Sequence, residues 1–159
     1  MLFRSTPIQT TPSLRVLNLG QNDISDISML GSLENLREID LSKNQVKDIS
    51  GLESLHKLEH LYLADNHIDN ITALSELLEL REINLVNNEL KSIEPLVRLK
   101  NLWRLSLDQN QIENIEVLLG FGELELVSLR GINNLPCGVI AQLTDEVGTD
   151  AVITDQACL

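Results

Sequence analysis

The residues of this chain best placed to do chemistry begin with a histidine between two acids. His60 stands 22 residues after Glu38 and 22 before Glu82. If each 22-residue step carries the chain to the next of a series of parallel strands, both carboxylates lie one strand spacing, about 4.8 Å, from the imidazole. Such a trio suits a carboxylate–histidine proton relay or a share of a metal site. The other two histidines do not join it. His56 falls on the return of its repeat and His67 past the turn that follows the strand, so three ligands do not converge. The sequence contains no glycine-rich phosphate loop, no Cys-x-x-Cys pair and no nucleophile motif. No catalytic residue, cofactor or metal is therefore expected, and recognition is the chemistry that remains.

The elements that must position these residues are written in the repeat. Leu14, Leu36, Leu58, Leu80, Leu102 and Leu124 are each 22 residues apart. The residues after them follow the pattern L-x-x-[LI]-x-L-x-x-N-x-[ILV]-x-x-I-x-x-L-x-x-[LF]-x-x, which five consecutive copies satisfy at every offset. Within a copy, the step Leu61-Tyr62-Leu63 alternates with period two, so it predicts a short strand with its leucines on one face and Tyr62 on the other. After the Asn the apolar spacing widens to three, as in Ile68, Ile71, Leu74 and Leu77. That spacing fits a 3₁₀ or short helical turn. One such unit cannot hide its leucines, but stacked units can. Strands need less room between neighbours than helices, so the stack should curve with the strands inside.

Two kinds of column run along such a stack. Asn22, Asn44, Asn66, Asn88 and Asn110 form a structural ladder, because the inward turn after each strand buries backbone donors and acceptors that an Asn side chain can satisfy together. The outward strand positions are instead free to vary. The first column holds Val16, Glu38, His60, Glu82, Arg104 and Leu126, the second Asn18, Asp40, Tyr62, Asn84, Ser106 and Ser128, and a third, after the strand, Gly20, Ser42, Ala64, Val86, Asp108 and Arg130. Tyr and Arg are frequent interface hot spots. Glu38, Asp40, His60, Tyr62, Glu82, Asn84 and Arg104 are accordingly the candidate binding residues, with Trp103, at the start of the fifth strand, as readily a packing residue as a contact. Asn70-Ile71-Thr72 matches a glycosylation sequon, a short pattern that matters only in a eukaryotic secretory protein.

The ends break the pattern. Counting back 22 from Ile24 and Leu30 reaches Leu2 and Ile8, so residues 1–13 read as the back half of a truncated earlier repeat, with further repeats or a cap expected before it. Repeats then occupy 14–135, five full and a partial sixth with Ile132 where the ladder Asn belongs, and 136–159 reads as a cap. Within the cap the sequence predicts an amphipathic helix after Pro136 with Ile140, Leu143 and Val147 on one face, a turn at Gly148-Thr149-Asp150 and a last strand at Ala151-Val152-Ile153. Cys137 sits at an offset that elsewhere carries a core Ile, so its side chain is expected to point inward. Cys137 and Cys158 bracket this segment and are either two free thiols or a disulfide. As a bridge they would contribute about 3 kcal/mol by closing a loop of that length.

Composition sets the remaining bounds. The chain has 159 residues, of which 32 are Leu and only four are aromatic, enough for one domain with a continuous core. Twelve basic against 24 acidic side chains give a net charge of −12, which disfavours nucleic acid and anionic membranes and suits a basic partner. No run of eighteen apolar residues is present for a membrane span, and the first thirteen residues lack the apolar stretch of a secretory leader.

The repeat LxxLxLxxNxIxxIxxLxxLxx resembles the leucine-rich repeat family. Its 22-residue length, with Ile27, Ile49, Ile71, Ile93 and Ile115, is similar to the SDS22-like, internalin-like class. The resemblance implies an α/β fold, a right-handed solenoid with a parallel concave sheet and short 3₁₀ or helical convex segments, acting without catalysis as a monomer that binds a protein or peptide on the concave sheet. The cap also resembles the terminal segment of exported bacterial leucine-rich repeat proteins, which implies an extracytoplasmic recognition module. The alternative is a cytoplasmic regulatory subunit in the manner of the SDS22-like phosphatase regulators.

Overall fold

In the computed structural model, which describes residues 13–156 and 158, every 22-residue unit closes one coil of a solenoid. Six strands of three residues, β1 (Val16–Asn18), β2 (Glu38–Asp40), β3 (His60–Tyr62), β4 (Glu82–Asn84), β5 (Arg104–Ser106) and β6 (Leu126–Ser128), are followed by the two-residue β7 (Val152–Ile153). They form one parallel, open sheet in sequence order. The register is the repeat itself: Glu38 pairs with His60, His60 with Glu82 and Glu82 with Arg104. The expected half repeat at residues 1–13 lies, apart from Ser13, outside the described residues.

The period-two step works as its spacing predicts. In β2 to β6 the middle residues Ile39, Leu61, Ile83, Leu105 and Val127 are buried, while their strand neighbours remain partly or fully exposed apart from Ser128. On the convex side the chain returns through 3₁₀ segments at Ser28–Ser32, Ser50–Leu52, Thr72–Leu74, Glu94–Arg98 and Glu116–Gly120. Each sends one leucine inward: Leu30, Leu52, Leu74, Leu96 and Leu118. These columns make one core running from Ile27 to Leu143. A Leu→Ala change in it would cost about 2–5 kcal/mol.

Backbone polar groups that the short strands cannot pair are met by side chains. Asn66 is the pattern for the ladder. Its Oδ1 accepts from the Val46 N–H at 2.9 Å, and its Nδ2 donates to the carbonyls of Leu41 and Leu63 at 3.0 Å each. Asn44, Asn88 and Asn110 repeat this on Ile24, Ile68 and Leu90. Asn22, at the first coil, is exposed and, among the described residues, donates only to Leu19 and Gly20 within its own turn. A second, unforeseen column starts each 3₁₀ segment: side-chain oxygens of Asp26, Asp48, Asn70, Ser92 and Asn114 accept the N–H two residues ahead. These bonds hold the carboxyls of Asp26 and Asp48 below the usual aspartate range. A third column, just before the ladder, takes the left-handed conformation, with φ of 60° at Gln21, 58° at Lys43, 57° at Asp65, 54° at Asn87 and 58° at Gln109.

The cap is α1 (Cys137–Val147) followed by β7. Cys137 and Cys158 form a disulfide, Cα atoms 5.3 Å apart. The inward Cys137 expected from the repeat is corrected here: the residue is exposed. Pro136 sits at the helix N-cap, and from there a 3.6-residue period replaces the repeat's spacing, so Val139, Ile140 and Leu143 are buried instead. Val147 packs on the core only in part. Gly148, at φ 101°, turns the chain into β7. Beyond it, Gln156 accepts from the Leu135 N–H at 3.0 Å and donates to its carbonyl at 2.6 Å, fastening the tail beside the disulfide.

Candidate functional site

Parallel pairing with a 22-residue register puts the seven candidate residues on one face, since positions 38, 60, 82 and 104 occupy one pleat and 40, 62 and 84 the next. Glu82 is where they meet. The Tyr62 hydroxyl donates to Glu82 Oε2 at 3.0 Å. His60 Nδ1 lies 3.4 Å from the same oxygen, and an Arg104 guanidinium nitrogen 3.6 Å from Oε1. The His60 contact is an approach without hydrogen-bond geometry, so that buried nitrogen has no bonding partner among the described residues. The Glu82 side chain keeps 16% of its exposure against 46% for Arg104, so the carboxylate forms the floor of the patch and the arginine its rim.

This environment changes Tyr62. Burial, then the Glu82 bond and the charges of Glu82 and Glu38, push its hydroxyl up to about 12, with Arg104 opposing. The residue therefore stays a neutral phenol at physiological pH, suited to packing and donating rather than to nucleophilic attack. Among the described residues, no group of three or more His, Cys, Asp or Glu side chains is arranged to hold a metal ion.

Asp40 and Asn84 face the same side but are partly occupied by the fold. Each side-chain oxygen accepts the N–H two residues ahead, from Ser42 at 2.9 Å and Val86 at 3.1 Å. Each thus shapes the turn after its strand. A further column, of which the sequence reading singled out only Trp103, stands just before the strands: Arg15, Arg37, Glu59, Arg81, Trp103 and Glu125. Glu59 bonds Arg37 and lies 3.9 Å from Arg81, and Trp103, half-buried, precedes β5 rather than starting it. Its 22-residue spacing was visible in the sequence, but the lack of any required residue type hid it.

Repeat, ladder and open parallel sheet define a leucine-rich repeat solenoid. The family model "Leucine Rich repeats (2 copies)" matches residues 12–54 and 34–76. An internalin (inlF) from Listeria monocytogenes is similar over 96% of this chain and 46% of its own, with TM-score 0.83 and 28% identity. A leucine-rich repeat protein of Leptospira interrogans gives 0.78 and 28%, over 87% of this chain and 37% of its own. Internalin C2 of L. monocytogenes shares the fold at TM-score 0.79 and 24% identity, over 92% and 73%. The fold is thus a leucine-rich repeat solenoid similar to that of internalins, and the chain spans about half the length of the first of these structures. No curated protein matches it significantly. Leucine-rich repeat proteins generally mediate protein–protein interaction.

Proposed function

We propose that this chain is a non-catalytic recognition module that binds a protein or peptide on its concave sheet, outside the cytoplasm. The observation that carries the reading is the cluster around Glu82. The leucines and ladder asparagines are accounted for by burial and backbone pairing, whereas His60, Tyr62 and Arg104 serve neither, and together they set an aromatic and a guanidinium around a shielded carboxylate. Such side chains, preorganised on a rigid sheet, lose little entropy on binding. The net charge of −12 favours a partner with basic groups. The bridge between Cys137 and Cys158 supports an oxidising compartment over a cytoplasmic regulatory role.

Two experiments test this. Partners cross-linked to the native protein are compared for wild type, Tyr62→Ala with Arg104→Ala, and the convex pair Lys47→Ala with Arg98→Ala. A partner lost only in the concave variant supports the reading, and one lost only in the convex variant refutes it. Intact mass after alkylation without reductant tests the setting: two alkylated thiols in native protein would turn the argument toward the cytoplasmic alternative.

A further inference from the structure

The chain carries twice as many acidic as basic side chains, 24 against 12, yet three cations gather at one corner of the sheet. Arg15, Arg37 and Lys57, with Ser13 and Asn35, line a cleft of about 600 Å³ beside the entrances to β1, β2 and β3. The fold brings them together. Arg15 and Arg37 stand at the same offset in adjacent coils, and the Arg15 carbonyl accepts the Arg37 and Glu38 N–H groups at 2.7 and 3.0 Å. Lys57 ends the return that leads into the third coil. Arg37 is neutralised by Glu59, but Lys57 donates to the uncharged amide of Asn35 at 2.6 Å. Arg15 has no side-chain partner among the described residues. Among the described residues, two positive charges therefore remain uncompensated in this cleft.

Just inside the sheet, the sign reverses. Glu38 follows Arg37 directly and has no ion-pair partner among the described residues, and it flanks the patch built on Tyr62 and Glu82. A cationic cleft thus adjoins an anionic patch at a distance of one to two coils, roughly 5–10 Å.

We infer that the partner presents an acidic and a basic side chain about two to four residues apart in an extended segment, the carboxylate entering the cleft of Arg15, Arg37 and Lys57 and the cation meeting Glu38 beside Tyr62. The inference rests on the concave-face reading and adds the partner's chemistry to it. The anion is a protein carboxylate rather than a polyanion, because Glu38, Glu59 and Glu82 surround the corner and would repel a second and third negative charge while one carboxylate is welcomed.

The test is a random-peptide display selection on the native chain, followed by fluorescence polarisation of the selected peptides. Enriched sequences pair Asp or Glu with Lys or Arg within about four residues, and Arg15→Gln with Lys57→Gln weakens them about tenfold, the value of one lost charge-assisted contact. Changing the peptide acid to its amide costs the same in wild type and almost nothing further in the double variant. Both substituted residues are at the surface, and an unchanged circular dichroism spectrum verifies the fold. Peptides weakened by Tyr62→Ala but indifferent to the double variant leave the concave reading standing and overturn this inference. Peptides indifferent to Tyr62→Ala and to Glu38→Gln overturn both, as does recovery of no binder. Displacement by a sulfated disaccharide more readily than by a glutamate peptide overturns the carboxylate assignment.

Discussion

Replacing a ladder asparagine by alanine should have a cost that depends on its place in the stack. In Asn66→Ala the Val46 N–H loses its only partner, at 2.9 Å, while the Leu41 and Leu63 carbonyls keep the amides of Asn44 and Asn88 and fall from two donors to one. An orphaned buried N–H costs about 1–3 kcal/mol, and each weakened carbonyl about 0.5–1 kcal/mol, for a total near 3 kcal/mol. At ~2–4 °C per kcal/mol for a chain of this size, Tm falls by roughly 6–12 °C. Among the described residues, Asn22→Ala removes only bonds to Leu19 and Gly20 at the surface and should cost about 0.5–1 kcal/mol. Asn66→Asp keeps the acceptor for Val46 but loses the donors and buries a charge, so it should be worse than alanine. Thermal melts followed by circular dichroism decide the matter. Equal losses for Asn22→Ala and Asn66→Ala would refute a ladder that works by satisfying the neighbouring coil's backbone.

Tyr62 is the only tyrosine, so phenolate absorbance titrates it alone: the midpoint should lie near 12 and move down in Glu82→Gln while staying above 10, because burial remains, and an ordinary wild-type midpoint would deny its shielding. Because the folded pKa is raised, its contribution to stability is full below pH 10 and declines as the pH climbs through 12, which urea melts across that window would detect. Cys137→Ser with Cys158→Ser should lower stability by about 3 kcal/mol, since the bridge closes a loop over 21 residues of separation, and denaturation with and without reductant measures it. Gly51→Ala should cost about 1–3 kcal/mol, because the new Cβ would sit 2.4 Å from the Ile27 carbonyl oxygen, whereas Gly122→Ala, facing open space, should change stability by less than about 0.5 kcal/mol.

The core and the ladder were legible because burial permits so few residue types. Leu61 and Leu63 admit little but leucine or isoleucine, and Asn66 has both donor and acceptor to offer, so their recurrence betrays their roles. The left-handed column was not legible. Gln21, Lys43, Asp65, Asn87 and Gln109 share a backbone angle but no chemistry, and Lys or Gln gives no warning of positive φ. For the candidate patch, the strand offsets assigned the face, but which side chains meet depends on rotamers. His60 was expected between Glu38 and Glu82, yet its nitrogen leans toward Glu82, which Tyr62 and Arg104 also approach. Cys137 misled because two periods compete there, and the local helix overrode the long repeat.

Register in steps of 22 makes the molecule modular in a literal sense. Removing residues 58–79 would join Lys57 to Leu80, bring Glu38 opposite Glu82 and leave Asn88 facing the coil that Asn66 had served. The shortened protein would keep its interior grammar and lose Glu59, His60, Tyr62 and Ala64 from its vocabulary. Loss or duplication of whole coils can therefore rewrite what such a surface says without repacking what lies beneath it.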